Sequence, residues 1–287
     1  MGEHPQTEHR ETPWPAHLSW SVPVLSRSAK VWATRGRHTR VEVLDVGEYR
    51  CLRIGDDTQL TQGYMHRTKP LDFRSEYLQQ QLVASLGALQ PLRALCLGLG
   101  VGAVPRLLRA AYPRIAVDAV DLEPAVVEAA KRYFRLETDQ HLQVHVADAR
   151  QFVGRADVRG RYDLVFVDCY DSSAIPNALR QSAFYDDLMR CLSPKGVLSA
   201  NIVQGRLGAM SVTDHCQTRL AAPWALAAPT KSNCAIFGRA HEPLERAVLA
   251  ERAAAVDAQQ RLPFPLASEI RRAVPLHQFR PTRGRRR

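Results

Sequence analysis

Four aspartates, Asp121, Asp148, Asp168 and Asp171, and three glycines, Gly98, Gly100 and Gly102, are the residues of this chain best suited to chemistry. The glycines follow the apolar run Ala94 to Leu97, and each acid closes or follows another apolar run. A strand that reaches a glycine loop and turns straight into a helix leaves unpaired N–H groups at its carboxyl end. The missing Cβ atoms let a ligand press against that backbone. An acid about 20 residues farther on, here Asp121, falls at the tip of the neighbouring strand, where it can accept from both hydroxyls of a ribose. Together they describe a nucleoside cradle. The plain alternatives are a glycine turn with no ligand and, for any single aspartate, a helix cap. Four acids in register with the glycine loop are harder to explain that way.

Two nucleotide readings fit the loop. Gly98-x-Gly100-x-x-Ala103 has the spacing of a dinucleotide fingerprint, and Gly98-x-Gly100-x-Gly102 that of the loop in S-adenosylmethionine-dependent transferases. The dinucleotide reading uses Asp121 and gives Asp148, Asp168 and Asp171 nothing to do. The second reading employs all of them, with Asp121 on the ribose, Asp148 and the Ala149 backbone on the adenine amino edge, and the fourth strand end at the reacting group. The cofactor-binding candidates are therefore Gly98, Gly100, Gly102, Asp121, Leu122, Asp148 and Ala149. No metal is expected: the six cysteines include no C-x-x-C pair, and the histidines stand apart, so buried reduced thiols are the simpler reading.

The elements that must position these residues follow from periodicity. Lys30 to about Met65 alternates apolar and polar residues around glycine turns, which predicts a small antiparallel sheet of two to four strands. Pro70 to Leu89 has apolar residues at helical spacing, at Phe73, Tyr77, Leu78, Leu82 and Leu86. Strands over Ala94–Leu97, Ile115–Val120, Leu142–Val146, Tyr162–Val167 and Val197–Ile202 then alternate with helices after the glycine loop, from Pro124 to Phe134 and from about Arg180 to Leu192. Further on, a helix near Arg206 to Leu220, two strands (Trp224–Ala228 and Asn233–Arg239) forming an antiparallel edge, and a helix from Glu242 to Arg261 complete the pattern. Right-handed crossovers make this a doubly wound, mostly parallel α/β sheet of Rossmann-like kind with a small N-terminal β lobe. The expected organisation is a disordered tail over 1–28, the lobe over 29–66, the nucleoside-binding core over 67–262 and a basic tail over 263–287. Truncation after about Leu266 is expected to spare the fold.

The chain has 287 residues and a formal charge of +10, but seven arginines and no acid between Arg271 and Arg287 leave only +3 for the rest. That tail predicts weak, nonspecific polyanion binding, and RNA methylation guided by it is the least supported reading. No apolar run approaches the roughly 20 residues of a membrane span and the N-terminus has no apolar signal core, so no membrane association and a cytoplasmic location are expected.

The segments LCLGLGVGA, AVDLEPAVVEAAKRYF, VHVADARQFV, YDLVFVDCYDSSAIP and LSPKGVLSANI resemble the spermidine synthase (polyamine aminopropyltransferase) family, from about Lys30 to Arg239. The resemblance implies a class I methyltransferase-like core, S-adenosylmethionine or its decarboxylated form as donor substrate, an amine or polyamine acceptor, and a homodimer. It implies that Asp168 deprotonates the attacking amine, that Asp171 holds the amine substrate, that Tyr77 is the active-site tyrosine, and that Gln62 closes the lobe over the site. The chain departs from the family pattern at Val101, where the family has an aspartate for the amine of the decarboxylated donor. It departs again at Leu78 and at Asn201-Ile202-Val203, which replaces an acid-bearing segment. Two functions follow: alkyl transfer, aminopropyl or methyl, to an amine, or a catalytically degenerate nucleoside binder serving as a sensor or interaction protein.

Overall fold

In the computed structural model, residues 28–55, 61–73, 75–170, 174–229 and 232–279 are described. The N-terminal lobe is a four-stranded antiparallel sheet in the order β1 (Ser28–Arg35), β2 (Arg40–Val46), β3 (Tyr49–Ile54), β4 (Thr61–His66). Its apolar positions face inward: Val41, Val43, Leu52 and Met65 are buried in one continuous cluster with the helices of the core.

Helix α1 (Glu76–Ser85) leads into the core, shorter than the periodicity of 70–89 predicts. The chain continues through β5 (Arg93–Leu97), α2 (Ala103–Ala111), β6 (Ala116–Asp121), α3 (Pro124–Tyr133), β7 (Leu142–Val146), α4 (Ala149–Val153) and β8 (Tyr162–Val167). It then runs through α5 (Ser182–Cys191), β9 (Leu192–Val203), α6 (Ala209–Arg219), β10 (Trp224–Ala227), β11 (Asn233–Arg239), α7 (Arg246–Asp257), α8 (Ala267–Ile270) and β12 (Val274–Pro275). The strands form one sheet in the order β12-β10-β11-β9-β8-β5-β6-β7. From β9 to β7 neighbouring strands are parallel, and β11, β10 and β12 join antiparallel.

The sheet is covered on both faces, which is why its central strands read as unbroken apolar runs. Alternate residues serve opposite cores: Ala94 and Cys96 pack toward one, Leu95 and Leu97 toward the other. All six cysteines are free thiols. Strand β9 begins five residues before the expected Val197, because Leu192 pairs with Tyr162 and the register shifts before pairing resumes at Leu164 and Val197. Among the described residues no helix is long and apolar enough to cross a membrane.

Besides this shared apolar cluster, one carboxylate ties the first turn of the lobe to the core. Glu123, 5% exposed, accepts from the backbone N–H groups of Arg37, His38 and Thr39 in the β1–β2 turn (3.0, 2.7 and 3.3 Å) and from Ala125 at the start of α3 (3.0 Å). Burial alone would raise its pKa. The four backbone donors outweigh burial and hold the carboxyl below its ordinary value. The approach is close enough that a Cβ on Gly36 would collide with the Glu123 carboxylate.

The expected basic tail from 263 needs correction. Leu266, Ile270, Ala273 and Leu276 are buried, β12 pairs with β10, and Leu276 N donates to Pro223 O at 2.7 Å. Asp257 accepts from the N–H groups of Leu266 and Ala267, and Arg246 donates to the carbonyls of Ile270 and Ala273. A segment with many arginines is solvated only where its apolar residues lack a partner, and here α7 and β10 supply one. The last eight residues, 280–287, lie outside the described residues, as do 1–27.

Truncation after Leu266, expected from sequence to be harmless, should therefore lower the melting temperature sharply, since Leu276→Ala alone should cost about 2–4 kcal/mol. An unchanged melting curve of the truncated chain would contradict this packing. Glu123→Ala should cost about 3 kcal/mol or more, because it orphans backbone donors at the lobe junction. Chemical denaturation measures that loss.

Candidate active site

The switch point of the sheet lies at β5, which has β6 on one side and β8 on the other. Ligands in such sheets sit outside the carboxyl ends of these strands. A cavity opens there, bounded by the glycine loop, the ends of β6, β7, β8 and β9, the segment after β8, α1, and the lobe residues Ile54 and Gln62. Gly98, Gly100, Asp121, Leu122, Asp148, Ala149, Asp168, Tyr77 and Gln62 all line it. Gly102 does not: it stands at the N-terminus of α2, where an added Cβ would lie 2.7 Å from a Leu136 methyl, so packing against Leu136 also requires glycine there. Asp171 lies outside the described residues.

The other two glycines have different tasks. Gly98 has φ of +90°, and a Cβ there would collide with the Asp168 carbonyl, so β5 and β8 can end side by side only with glycine at this place. Gly100 has φ of +51° and open space where a side chain would stand, which leaves its backbone exposed to the cavity.

Asp121 shapes the loop as well as facing the cavity. One carboxylate oxygen accepts from Leu99 N at 2.9 Å and the other from Glu123 N at 3.0 Å. Burial pushes its pKa up, against the pull of those N–H groups and that of Gly100. Each oxygen keeps lone-pair capacity for a further donor. Asp148 caps α4 through Oδ1, which accepts from Arg150 N (2.7 Å) and Gln151 N (3.1 Å). The capping alternative thus holds for this aspartate, yet the residue still lines the cavity.

Asp168 is set by its neighbours across the sheet. Strand register places the end of β8 beside that of β9, and Asn201 Nδ2 donates to Asp168 Oδ1 at 2.8 Å. Asn201 is itself held by Asn233, fully buried on β11, whose Nδ2 donates to Asn201 Oδ1 at 3.2 Å. The Tyr170 hydroxyl donates to Asn201 O (3.0 Å) and accepts from Val203 N (2.7 Å), tying the segment after β8 to the same strand. Burial lifts the Asp168 carboxyl to about 6, and the Asn201 hydrogen bond works in the opposite direction. Burial and the Asp168 charge push the Tyr77 phenol well above its ordinary value, so Tyr77 keeps its proton. Sequence reasoning marked Asn201 only as a departure from a family pattern and passed over Glu123 and Asn233. Their shared signal is a polar residue among apolar ones at or beside a strand end.

Behind the loop, Arg106 donates to Val101 O (3.0 Å) and Gly102 O (3.2 Å), and its guanidinium lies 4.8 Å from the Phe73 ring centre. Burial lowers its pKa to about 10, which still leaves it charged at neutral pH.

Residues 83–218 match the spermine/spermidine synthase domain. The chain is spermidine-synthase-like. The polyamine aminopropyltransferase of Vibrio vulnificus is 30% identical over 182 residues, 62% of this chain and 60% of that protein. The spermidine-synthase-like chain also resembles the eEF1A lysine and N-terminal methyltransferase of Homo sapiens, 30% identical over 128 residues, 41% of this chain and 18% of that one. It therefore spans less than two thirds of either relative. A probable spermidine synthase from Corynebacterium glutamicum shares the fold, with a TM-score of 0.64 over 77% of this chain and 86% of that chain at 14% identity.

The Asp168 carboxyl should titrate near pH 6 in the free protein and higher in Asn201→Ala, which loses the donor that favours the ionised form. NMR titration of carboxyl-labelled protein measures both midpoints. A value near the ~3.9 of a free aspartate would contradict the burial of this group.

Proposed function

We propose that this spermidine-synthase-like protein is a transferase that binds an S-adenosylmethionine-type donor and moves an alkyl group from its sulfonium to an amine. The observation that carries the reading is one cavity holding the glycine-loop backbone, Asp121 and Asp148 at one end and Asp168 with Tyr77 at the other. In this reading Asp121 accepts from the ribose hydroxyls and Asp148 faces the adenine edge with the Ala149 backbone. Leu122 and the exposed loop backbone at Gly98 and Gly100 supply close contact.

The acceptor end follows from acid–base chemistry. An amine of pKa near 10 is mostly protonated at neutral pH, and only its neutral form has a lone pair to attack carbon. A carboxylate lifted to about 6 is a stronger base than an exposed one and is still ionised at pH 7. Asp168 can therefore take the proton, Asn201 fixes which oxygen is free to do so, and the Tyr77 hydroxyl orients the amine. Asp171 is assigned to holding the acceptor and Gln62 to closing the lobe over it. The rest of the rate enhancement comes from in-line positioning in a site shielded by the lobe. The lone-pair donor attacks, the carbon–sulfur bond breaks onto sulfur, and the sulfonium leaves as a neutral thioether. No metal is needed for any of these steps.

Asp168→Asn keeps the shape of the side chain while removing the base. Turnover with an amine panel, read as release of the thioether nucleoside, should fall about 100-fold or more. Binding of S-adenosylhomocysteine by calorimetry should stay within about twofold, since a partner of the nucleoside is not removed. Undiminished turnover in this variant would overturn the assignment of the base.

A further inference from the structure

We infer that the donor taken by this cavity is intact, carboxylated S-adenosylmethionine, and that the group moved is methyl. The inference rests on the adenosyl-sulfonium reading of the site and concerns only the tail of the donor.

With ribose on Asp121 and adenine toward Asp148, the tail must lie along the glycine loop, where Val101, Val104, Leu78, Ile54 and Gln62 bound the cavity. None of these is acidic. Val101 is 4% exposed, and its Cγ1 lies 3.0 Å from where a Cβ on Gly63 would stand, so β4 of the lobe closes against its methyls. A decarboxylated tail carries an ammonium alone, and an ammonium withdrawn from water needs a counter-charge. This wall offers methyl groups instead.

The charge behind the wall has the opposite preference. Arg106 is a half-buried guanidinium bonded to the carbonyls of Val101 and Gly102, and among the described residues it has no carboxylate partner. Helix α2 starts at the same place with no acid in its own first turn, so its positive end faces the loop. Both features repel a tail that is only cationic. Both attract a tail that brings its own carboxylate, and the Gln62 amide oxygen can accept from the accompanying ammonium.

The intact donor offers methyl as its smallest transferable group. The nitrogen lone pair of the acceptor forms the new N–C bond to the methyl carbon. The C–S bond breaks with its electrons moving to sulfur, and S-adenosylhomocysteine departs neutral at sulfur. Asp168 receives the proton that the amine gives up. Charge and atoms balance with no further reactant.

The test is calorimetric titration of the full chain with S-adenosylmethionine, decarboxylated S-adenosylmethionine and methylthioadenosine. S-Adenosylmethionine should bind about tenfold or more tighter than its decarboxylated form, because its carboxylate meets positive charge where the other compound leaves an ammonium unpaired. Val101→Asp, which places a carboxylate on that wall, should narrow or reverse the ratio. Equal or tighter binding of the decarboxylated compound by the unmodified chain would overturn the donor assignment and leave the site reading in place. Failure of all three compounds to bind would overturn the site reading itself.

Discussion

Two carboxylates, two residues apart, join the glycine loop and the lobe to the tip of one strand. Asp121 and Glu123 follow directly from the end of β6, and the intervening Leu122 is turned out to 46% exposure. Asp121 takes the N–H of Leu99 and so sets the conformation of the glycine loop. Glu123 takes three N–H groups of the β1–β2 turn and so sets where the lobe sits. The loop is the floor of the cavity and the lobe contributes one wall, through Ile54 and Gln62. Floor and wall are thus referred to the same three residues, and a small shift at the tip of β6 would be felt on both. A carboxylate satisfied by several backbone donors keeps its charge despite burial. That makes the Glu123 junction both costly to break and sensitive to acid: the stability it contributes is present above the ordinary glutamate pKa and is lost as pH falls through the lowered one.

The opposite end of the cavity is built by a different device. Among the described residues Asp168 has no cationic partner, and a desolvated carboxylate without one would ordinarily neutralise itself near neutrality. Among the described residues one side-chain donor, from Asn201, works against burial, and the balance lies near 6. That donor is oriented by a fully buried asparagine one strand farther into the sheet. The polar line from β11 through β9 to β8 interrupts an otherwise apolar layer, which costs desolvation at each member unless all are paired. The two residues behind the carboxylate are of one type, amides that can donate and accept at once, so the charge they present to it is fixed by orientation and does not vary with pH. A lysine or histidine in place of Asn201 would bring a charge to the carboxylate and lower its basicity.

Much of the fold was legible because the relevant signals are local. The glycine loop, the apolar runs and the acids at their ends each occupy a few consecutive residues, and the alternation of strand and helix fixes the sheet class. The cavity residues Gly98, Gly100, Asp121, Asp148, Asp168 and Tyr77 were legible for the same reason. Other features depend on pairings distant in sequence. Glu123 meets residues more than eighty positions earlier, and Asn233 meets Asn201 across 32. Ile270 and Leu276 fall in a stretch whose arginines dominate its composition, and their packing against α7 and β10 is visible only in three dimensions. Gly102 depends on a distant pairing too: three glycines in one loop look equivalent in sequence, and only the position of Leu136 shows that the third also has a packing reason to lack a side chain.

The distribution of charge around the cavity follows from this architecture. Carboxylates can be placed only at strand ends, where β6, β7 and β8 deliver Asp121, Asp148 and Asp168, and each is already engaged by an N–H or amide donor. The N-terminus of α2 must face the cavity because the loop leads into it, and it brings a positive end that nothing in its first turn offsets. Arg106 adds a full charge behind the loop, bonded to the Val101 and Gly102 carbonyls. A ligand lying across the floor therefore meets carboxylates at the strand ends, from Asp121, Asp148 and Asp168, and the positive end of a helix where the loop enters α2. A compound that carries both a cation and an anion can meet both kinds of charge, whereas a doubly cationic compound leaves the helix end unmatched.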